Sequence, residues 1–406
     1  MEGDGMRTVL TSAIALAVAT LCAQIPGTGL PTLMVETGER SRREAWVTVQ
    51  LPPSVRGTDL QLRGDDGTVL PLQVGPDRQG WVVLPRLIAG RRHVFTVEPA
   101  LRQVGPDALS VRAEGSRWHF SRDGRPMFSY VGDPLVLPDG VGERFRRGAY
   151  IHPVRTPTGA VATEDYPPNH RHHHGIWAAW THTRYDGRAP DFWNMGDGTG
   201  RVEFEGSSGS WGGPLTAGLE TRHRYVDLTT PTPVAVLGER WQMTAYAMGL
   251  GSRSAHVFDV VITQRVSGKT PLELPPYRYG GIGVRGRHLW DGPDRTFFVT
   301  ADGRGRLDGH GTRATWAYMG GEVDGRRVGI AVLGHPDNLQ SPQPMRIHPT
   351  EPFFNFAPQQ AGAFAIRPGE PFVMRYRFIA FDGDPDARLI DDAWQDWATP
   401  VRAWVR

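Results

Sequence analysis

The segment HVFDVVITQ, residues 256–264, sets the fold class of this chain. Apolar and polar side chains alternate along much of it: Phe258, Val260 and Ile262 fall on one face, while Asp259 falls on the other. Because successive side chains of a strand point to opposite faces, this period of two indicates a β-strand with one face buried in a core.

Similar runs recur along the chain, each bounded by Gly, Pro, Asp or Asn, which is typical of strands separated by turns. They cover residues 45–51, 81–84, 93–97, 118–121, 127–131, 201–204, 240–246, 296–300, 328–333 and 372–380. Only the C-terminal region predicts a helix, with Asp384 as its N-cap and Pro385 at the first helical position. Its apolar stripe, which we expect to pack on a sheet, consists of Leu389, Ile390, Ala393, Trp394 and Trp397.

The chain of 406 residues is too long for one ordinary β-sandwich of about 100 residues. We therefore predict an all-β protein in which a small N-terminal β-sandwich domain at 30–110 precedes a large two-sheet β-sandwich at 111–385. The C-terminal helix would cover residues 386–400.

The composition excludes several classes of protein. The 13 Trp, 10 Tyr and 16 Phe residues can bury a large core, which argues against disorder. The 50 glycines have no three-residue period, which excludes collagen. The 45 basic and 43 acidic residues leave a formal charge of +2, without a basic run, so we expect no nucleic-acid partner.

Residues 1–23 have the form of a secretory signal peptide. Arg7 precedes the apolar stretch 9–22, which is shorter than the roughly 20 residues that span a bilayer. Cleavage fits the sequence after Ala19 or after Ala23, and an uncleaved anchor is the alternative. Cys22 is the only cysteine, so the mature chain would hold no disulfide. We expect a secreted or periplasmic protein whose mature chain has no membrane span.

The segment DYPPNHRHHHGIW, residues 165–177, dominates the chemistry, because it holds four of the 14 histidines. In an extended backbone, His170, His172 and His174 would face one side and His173 the other. Alternate imidazoles on a strand can bind one metal ion, and neutral imidazoles can act as general acids or bases or bind sugar hydroxyls. A loop whose histidines bond backbone carbonyls is the third interpretation. Whether a metal is bound stays open; if so, the expected ligands are His170, His172 and His174.

Three further segments carry candidate site residues. DFWN, residues 191–194, joins an acid to two aromatic rings, as many sugar sites do, although core aromatics beside a turn acid give the same pattern. In YRYGGIGVR, residues 277–285, the glycines indicate close backbone approach, so a ligand could lie over this strand. HPDN, residues 335–338, follows an apolar strand at the end where loops carry function, and Arg346 and His348 follow on another short strand.

The ordered motifs resemble a bacterial PmoA-like family, often labelled methane oxygenase PmoA, over roughly residues 30–385. They are NHRHHHGIW, DFW, YGGIGVR, GIAVLGHPDN, QPMRIH, PFFNF and RYRF. The family pattern DHPHHRG is matched at His170, His172 and His173, whereas the neighbouring positions Asn169, Arg171 and His174 depart from it. In the later block, His335, Pro336 and Asn338 match, while Gly334, Met345, Arg346 and His348 depart.

The methane oxygenase label conflicts with the sequence, which has no transmembrane bundle. The resemblance implies instead a β-sandwich of the kind seen in sugar mutarotases and polysaccharide-active enzymes, an analogy at the level of fold.

These observations predict a secreted carbohydrate-active enzyme with hydrolase, lyase or epimerase chemistry on a small-molecule or oligosaccharide substrate. We expect the site on the concave face of the large sandwich, in a hollow between its two sheets. The expected catalytic residues are His170, His172, His173 and His335. The expected substrate-binding residues are Tyr166, Asp191, Trp193, Arg285, Asn338, Arg346 and His348. A non-catalytic glycan-binding module and a copper or zinc oxidoreductase are the alternatives.

Arg285 and Arg346 would hold a carboxylate or a developing oxyanion, because guanidinium groups suit both. His335 and Asn338 would complete the wall of the site, and Trp193 would stack against the sugar.

Overall fold

The computed structural model describes residues 30–100, 108–134 and 136–406. The predicted signal peptide, residues 1–23, lies outside these ranges. Three antiparallel sheets, a two-stranded ribbon and one α-helix make up the described part. No helix within it combines the length and the apolar character that crossing a membrane would require.

The N-terminal sheet has seven strands. They are β1 (Thr32–Glu36), β2 (Arg42–Gln50), β3 (Asp59–Gly64), β4 (Val69–Val74), β5 (Gln79–Leu87), β6 (Arg92–Pro99) and β25 (Arg402–Val405). Their order is β2-β5-β4-β3-β6-β1-β25. The last strand comes from the chain's C-terminal end and pairs antiparallel with β1, placing Val405 opposite Leu33. The sequence analysis missed this pairing.

The first large sheet has eight strands in the order β21-β22-β17-β11-β10-β9-β8-β7. They are β7 (Leu109–Glu114), β8 (Arg117–Arg122), β9 (Arg125–Val131), β10 (Tyr150–Val154), β11 (Ile176–Ala179), β17 (Gly281–Arg285), β21 (Met345–Ile347) and β22 (Phe353–Phe356).

The second large sheet also has eight strands, in the order β12-β13-β14-β15-β24-β20-β19-β18. They are β12 (Gly200–Trp211), β13 (Thr216–Asp227), β14 (Val234–Tyr246), β15 (His256–Val266), β18 (Phe297–Thr300), β19 (Trp316–Val323), β20 (Arg326–Gly334) and β24 (Phe372–Asp382). A separate ribbon pairs β16 (Leu272–Leu274) with β23 (Phe364–Ile366).

The two large sheets pack face to face over one apolar core. Phe258, Val260 and Ile262 of β15 are buried in it, as the alternation of the segment predicts. Phe258 also lies 4.2 Å, between ring centroids, from Phe128 of the first large sheet. The fold prediction is confirmed: an all-β chain with a large two-sheet sandwich, a smaller β-structure before it and a C-terminal helix.

A buried polar network joins the same two sheets. In the second large sheet, Glu239 accepts hydrogen bonds from the Tyr225 hydroxyl (3.0 Å) and from Gln264 Nε2 (2.6 Å), and it contacts His223 Nδ1 at 3.0 Å. The Tyr225 hydroxyl also lies 3.0 Å from the carbonyl oxygen of Ala178 in the first large sheet. Because these groups are buried, each bond compensates for lost hydration and fixes the sheets relative to each other.

The helix α1 spans Ala387–Ala398 and packs on the second large sheet through the predicted stripe, with Ile390 fully buried. Its N-cap is Asp386, whose carboxylate accepts bonds from the backbone N–H groups of Arg388 and Leu389. The predicted cap at Asp384, with proline first in the helix, is therefore two residues too early.

Candidate functional site

The histidine segment lies against the outer face of the first large sheet. Ile176 of β11 and Val284 of β17 point into the core between the sheets, so their neighbours Trp177 and Arg285 point the other way. Trp177 packs there with Phe353 and other aromatic residues in a separate cluster. The site is therefore outside the sandwich, and the expected hollow between the two sheets is wrong.

Residues 167–173 form two successive turns. The backbone N–H of His170 donates to Pro167 at 3.0 Å, and that of His173 donates to His170 at 2.9 Å. The turns bring three imidazoles together: ring centroids are 4.7 Å apart for His170 and His173, and also for His172 and His173. The backbone here is not extended, so the arrangement that an extended backbone would give, with His170, His172 and His174 on one side, is wrong.

Glu351 joins His170 and His173 at the centre of this cluster. Each of the three offers one ligand atom, and these atoms all lie within 4.8 Å of one another, so the group could hold a metal ion. His170 Nδ1 is 3.1 Å from Glu351 Oε1. The imidazole of His173 is 4% exposed, and its Nδ1 has no hydrogen-bond partner among the described residues. This group differs from the expected set of His170, His172 and His174.

Glu351 is fixed by a fully buried arginine. Arg285 donates to Glu351 Oε2 at 2.7 Å and to Asp291 Oδ1 at 2.7 Å, while Asn169 Nδ2 lies within 3.3 Å of Glu351 Oε1. Burial acts to raise the pKa of Glu351, but His170 and Arg285 outweigh it and hold this pKa below its ordinary value. Arg285 is thus committed to two carboxylates and orients Glu351; it does not offer a free guanidinium to a substrate.

His172 and His348 flank the centre and are both partly exposed. Burial, assisted by the nearby His170, lowers the pKa of His172 to about 4, so its ring is neutral at neutral pH. Burial likewise lowers the pKa of His348 to about 4. The ring of His348 lies 6.4 Å from that of His170, and its Nδ1 accepts a bond from the Glu351 N–H at 3.1 Å.

His174 turns away from the other three histidines. Its Nδ1 lies 2.6 Å from Asp165 Oδ1, and the other carboxylate oxygen accepts a bond from Tyr150 at 2.8 Å. The Tyr166 ring meets His174 edge-on at 4.6 Å, and the Tyr166 hydroxyl is buried without a partner in the described part of the chain. The structure therefore places Tyr166 and His174 in a buried group beside the histidine centre.

Asp191 and Trp193 stabilise the local backbone and packing. One Asp191 oxygen accepts bonds from the backbone N–H groups of Trp193 and Asn194, both at 2.8 Å, and the other accepts from Thr181. Trp193 is only 2% exposed and packs 5.0 Å from Trp177, between ring centroids. A buried ring cannot stack on a sugar, so the core-aromatic interpretation of DFWN agrees with the structure.

Tyr279 is partly exposed in this region, as is Tyr277, whose ring centroid lies 6.1 Å from it. The Tyr279 ring centroid lies 6.0 Å from that of Trp193, and the guanidinium carbons of Arg278 and Arg346 lie 5.2 and 5.4 Å from it. Tyr279 lies within YRYGGIGVR but is not among the site residues expected from the sequence. Glu351 is also absent from that set, although it lies between His348 and the PFFNF motif.

His335 and Asn338 lie elsewhere, and His335 contacts α1. The His335 ring meets Trp397 edge-on at 4.9 Å, and the Asn338 side chain exchanges two hydrogen bonds with the backbone of Arg375, at 2.8 and 2.7 Å. They follow β20, which belongs to the second large sheet. Among the described residues, their contacts do not include the histidine cluster, so the structure does not join them to the other expected site residues.

Residues 117–395 match the model of a family described as "Family of unknown function (DUF6807)". The match covers most of the chain, which therefore belongs to this family. The predicted resemblance to a PmoA-like family is wrong, because the matching model is DUF6807.

No curated protein matches the chain. Among solved structures, it is similar to an alpha-mannosidase from Enterococcus faecalis V583, at 8% identity and a TM-score of 0.42. That alignment covers 94% of this chain and 46% of the mannosidase, so the chain spans about half the length of that protein.

Proposed function

We propose that the protein is a secreted carbohydrate-active enzyme that acts on a sugar or glycoside by hydrolase, lyase or epimerase chemistry at the histidine centre. The observation that carries the proposal is the convergence of His170, His173 and Glu351 beside the partly exposed ring of His172. Such reactions need titratable groups that face a common point within reach of a bound substrate.

Each side chain has a distinct part in this proposal. His172 would exchange a proton with a sugar hydroxyl or glycosidic oxygen, because its ring is partly exposed, lies 4.7 Å from that of His173 between centroids and is outside the group that His170, His173 and Glu351 form. Glu351, held in place by Arg285, would keep a fixed negative charge next to the reacting sugar. Tyr279 would supply the aromatic face that Trp193 cannot offer.

The central group also suits a divalent metal ion such as zinc. Two imidazole nitrogens with one carboxylate form a known catalytic zinc ligand set, and outer partners such as Arg285 typically orient the ligating carboxylate. The ion would supply Lewis acidity toward a sugar oxygen. After incubation with zinc and desalting, elemental analysis should find about one equivalent in the wild type and a clear loss in His173→Ala. Zinc below about a tenth of an equivalent in the wild type would remove the metal from the proposal.

A screen of oligosaccharides against the purified protein tests the enzymatic proposal, with products detected by mass spectrometry. We expect at least one sugar to be converted. The alternative, a non-catalytic glycan-binding module, predicts a sugar that binds without yielding product. That result, or a panel without conversion, would contradict the proposed activity.

A further inference from the structure

Two arginines and a tyrosine form a surface next to the histidine centre, which we call the Tyr279 surface. The guanidinium groups of Arg278 and Arg346 both lie against the Tyr279 ring, at 5.2 and 5.4 Å from its centroid. Arg278 is exposed, and Arg346 and Tyr279 are partly exposed. An aromatic face with cationic groups around it can receive the apolar face of a sugar ring and an anionic substituent together.

These arginines differ from Arg285 in having no acidic partner. In the described ranges, no carboxylate oxygen lies within 4.0 Å of either guanidinium group. Arg346 donates to the Ile347 carbonyl at 3.2 Å, while its Nε is buried without a hydrogen-bond partner. Neither the Ile347 carbonyl nor His310 Nε2, which lies 3.4 Å from the Arg346 guanidinium, carries a negative charge, so a ligand carboxylate would supply the missing counter-charge.

The Tyr279 surface adjoins the histidine centre. The buried ring of Phe353 packs against both, since its centroid lies 6.0 Å from that of Tyr279 and 4.8 Å from that of His173. On the edge strand β21, Arg346 lies against Tyr279, and His348, which directly follows this strand, lies beside His170. A sugar bound over Tyr279 would therefore have its next unit close to the proposed reaction centre.

We infer that the substrate is an acidic sugar, such as a uronate, whose carboxylate is recognised by Arg278 and Arg346 while its ring lies against Tyr279. This inference rests on the proposed function and adds the substrate class. A neutral sugar would use the aromatic face but leave both guanidinium groups without a counter-charge, whereas a carboxylate accepts two hydrogen bonds from one guanidinium.

Binding measurements test the inference without requiring turnover. Calorimetric titrations would compare trigalacturonate, trimannuronate and triglucuronate, each with its carboxyl-reduced neutral counterpart. At least one acidic trisaccharide should bind ten times more tightly, or better, than its counterpart, and Arg346→Gln and Arg278→Gln should each weaken that binding about tenfold. Arg265→Gln is the matched control, because Arg265 is exposed on the second large sheet.

Equal affinity for all acidic and neutral pairs, an absence of binding, or acidic-sugar binding that survives both substitutions would overturn the inference. Arg278 is exposed, so its variant keeps the test valid if Arg346→Gln fails to fold. The experiments distinguish failure of the proposed function from failure of this inference. Conversion of a neutral sugar, without a preference for acidic sugars, would contradict only the inferred substrate class. Acidic-sugar binding through these arginines without any product would remove only the catalytic role.

Discussion

Replacing Arg285 with methionine tests how the site is held together. The arginine side chain is fully buried and donates to Glu351 and Asp291, each at 2.7 Å. Removing one partner of a buried ion pair costs about 3–5 kcal/mol, because the remaining charge stays buried without compensation. The Asp291 side chain is 32% exposed and partly hydrated. We therefore expect the free energy of unfolding to fall by about 3 kcal/mol, at the lower end of this range.

The assay is urea denaturation followed by tryptophan fluorescence and circular dichroism, in the presence of a chelator so that bound metal does not mask the loss. The double variant Arg285→Met with Glu351→Gln should recover part of the loss, because it removes the buried carboxylate along with its partner. Arg265→Met serves as the control for removing an exposed arginine. A loss below about 1 kcal/mol for Arg285→Met, with losses that simply add in the double variant, would refute this reasoning.

Four further substitutions have expected outcomes in thermal or urea denaturation. Tyr225→Phe should cost about 1–3 kcal/mol, because it removes a donor from buried Glu239; a change near zero would show that the network does not stabilise the sandwich. Gly283→Ala should cost about 1–3 kcal/mol, because a β-carbon there would lie 3.0 Å from a buried tryptophan ring, and an unchanged midpoint would contradict this close packing. Asp386→Ala should lower the free energy of unfolding by about 1 kcal/mol, because it removes the helix cap. Asp384→Ala should lower it less, and the reverse order would support Asp384 as the cap, as the sequence predicts.

The strands of the large sandwich could be predicted because alternation is a local property of the chain. In segment 256–264, Phe258, Val260 and Ile262 face the core as the alternation predicts, whereas Val257 and Asp259 on the opposite face are also buried, which the alternation does not predict. The pairing of β25 with β1 joins opposite ends of the chain, and no local pattern encodes it. The helix cap was misplaced because two aspartates flank one proline and either could precede the helix.

The site could be predicted only in part. The crowding of histidines at 170–174 was visible in the sequence, and the structure brings His170, His172 and His173 together. Pro167 and Pro168 were a turn signal that argues against an extended backbone, and it was not used. Glu351 reaches the histidines only because β22 pairs with β17, a long-range contact.

The measurement that tests the central claim most directly is the initial rate of product formation by His172→Ala on a sugar that the wild type converts. His93→Ala is the matched control, since His93 is also partly exposed but lies on the N-terminal sheet. If the histidine centre carries the reaction, His172→Ala should lose about 100-fold or more while its circular dichroism is unchanged, and His93→Ala should keep the wild-type rate. A folded His172→Ala protein with the wild-type rate would contradict the account.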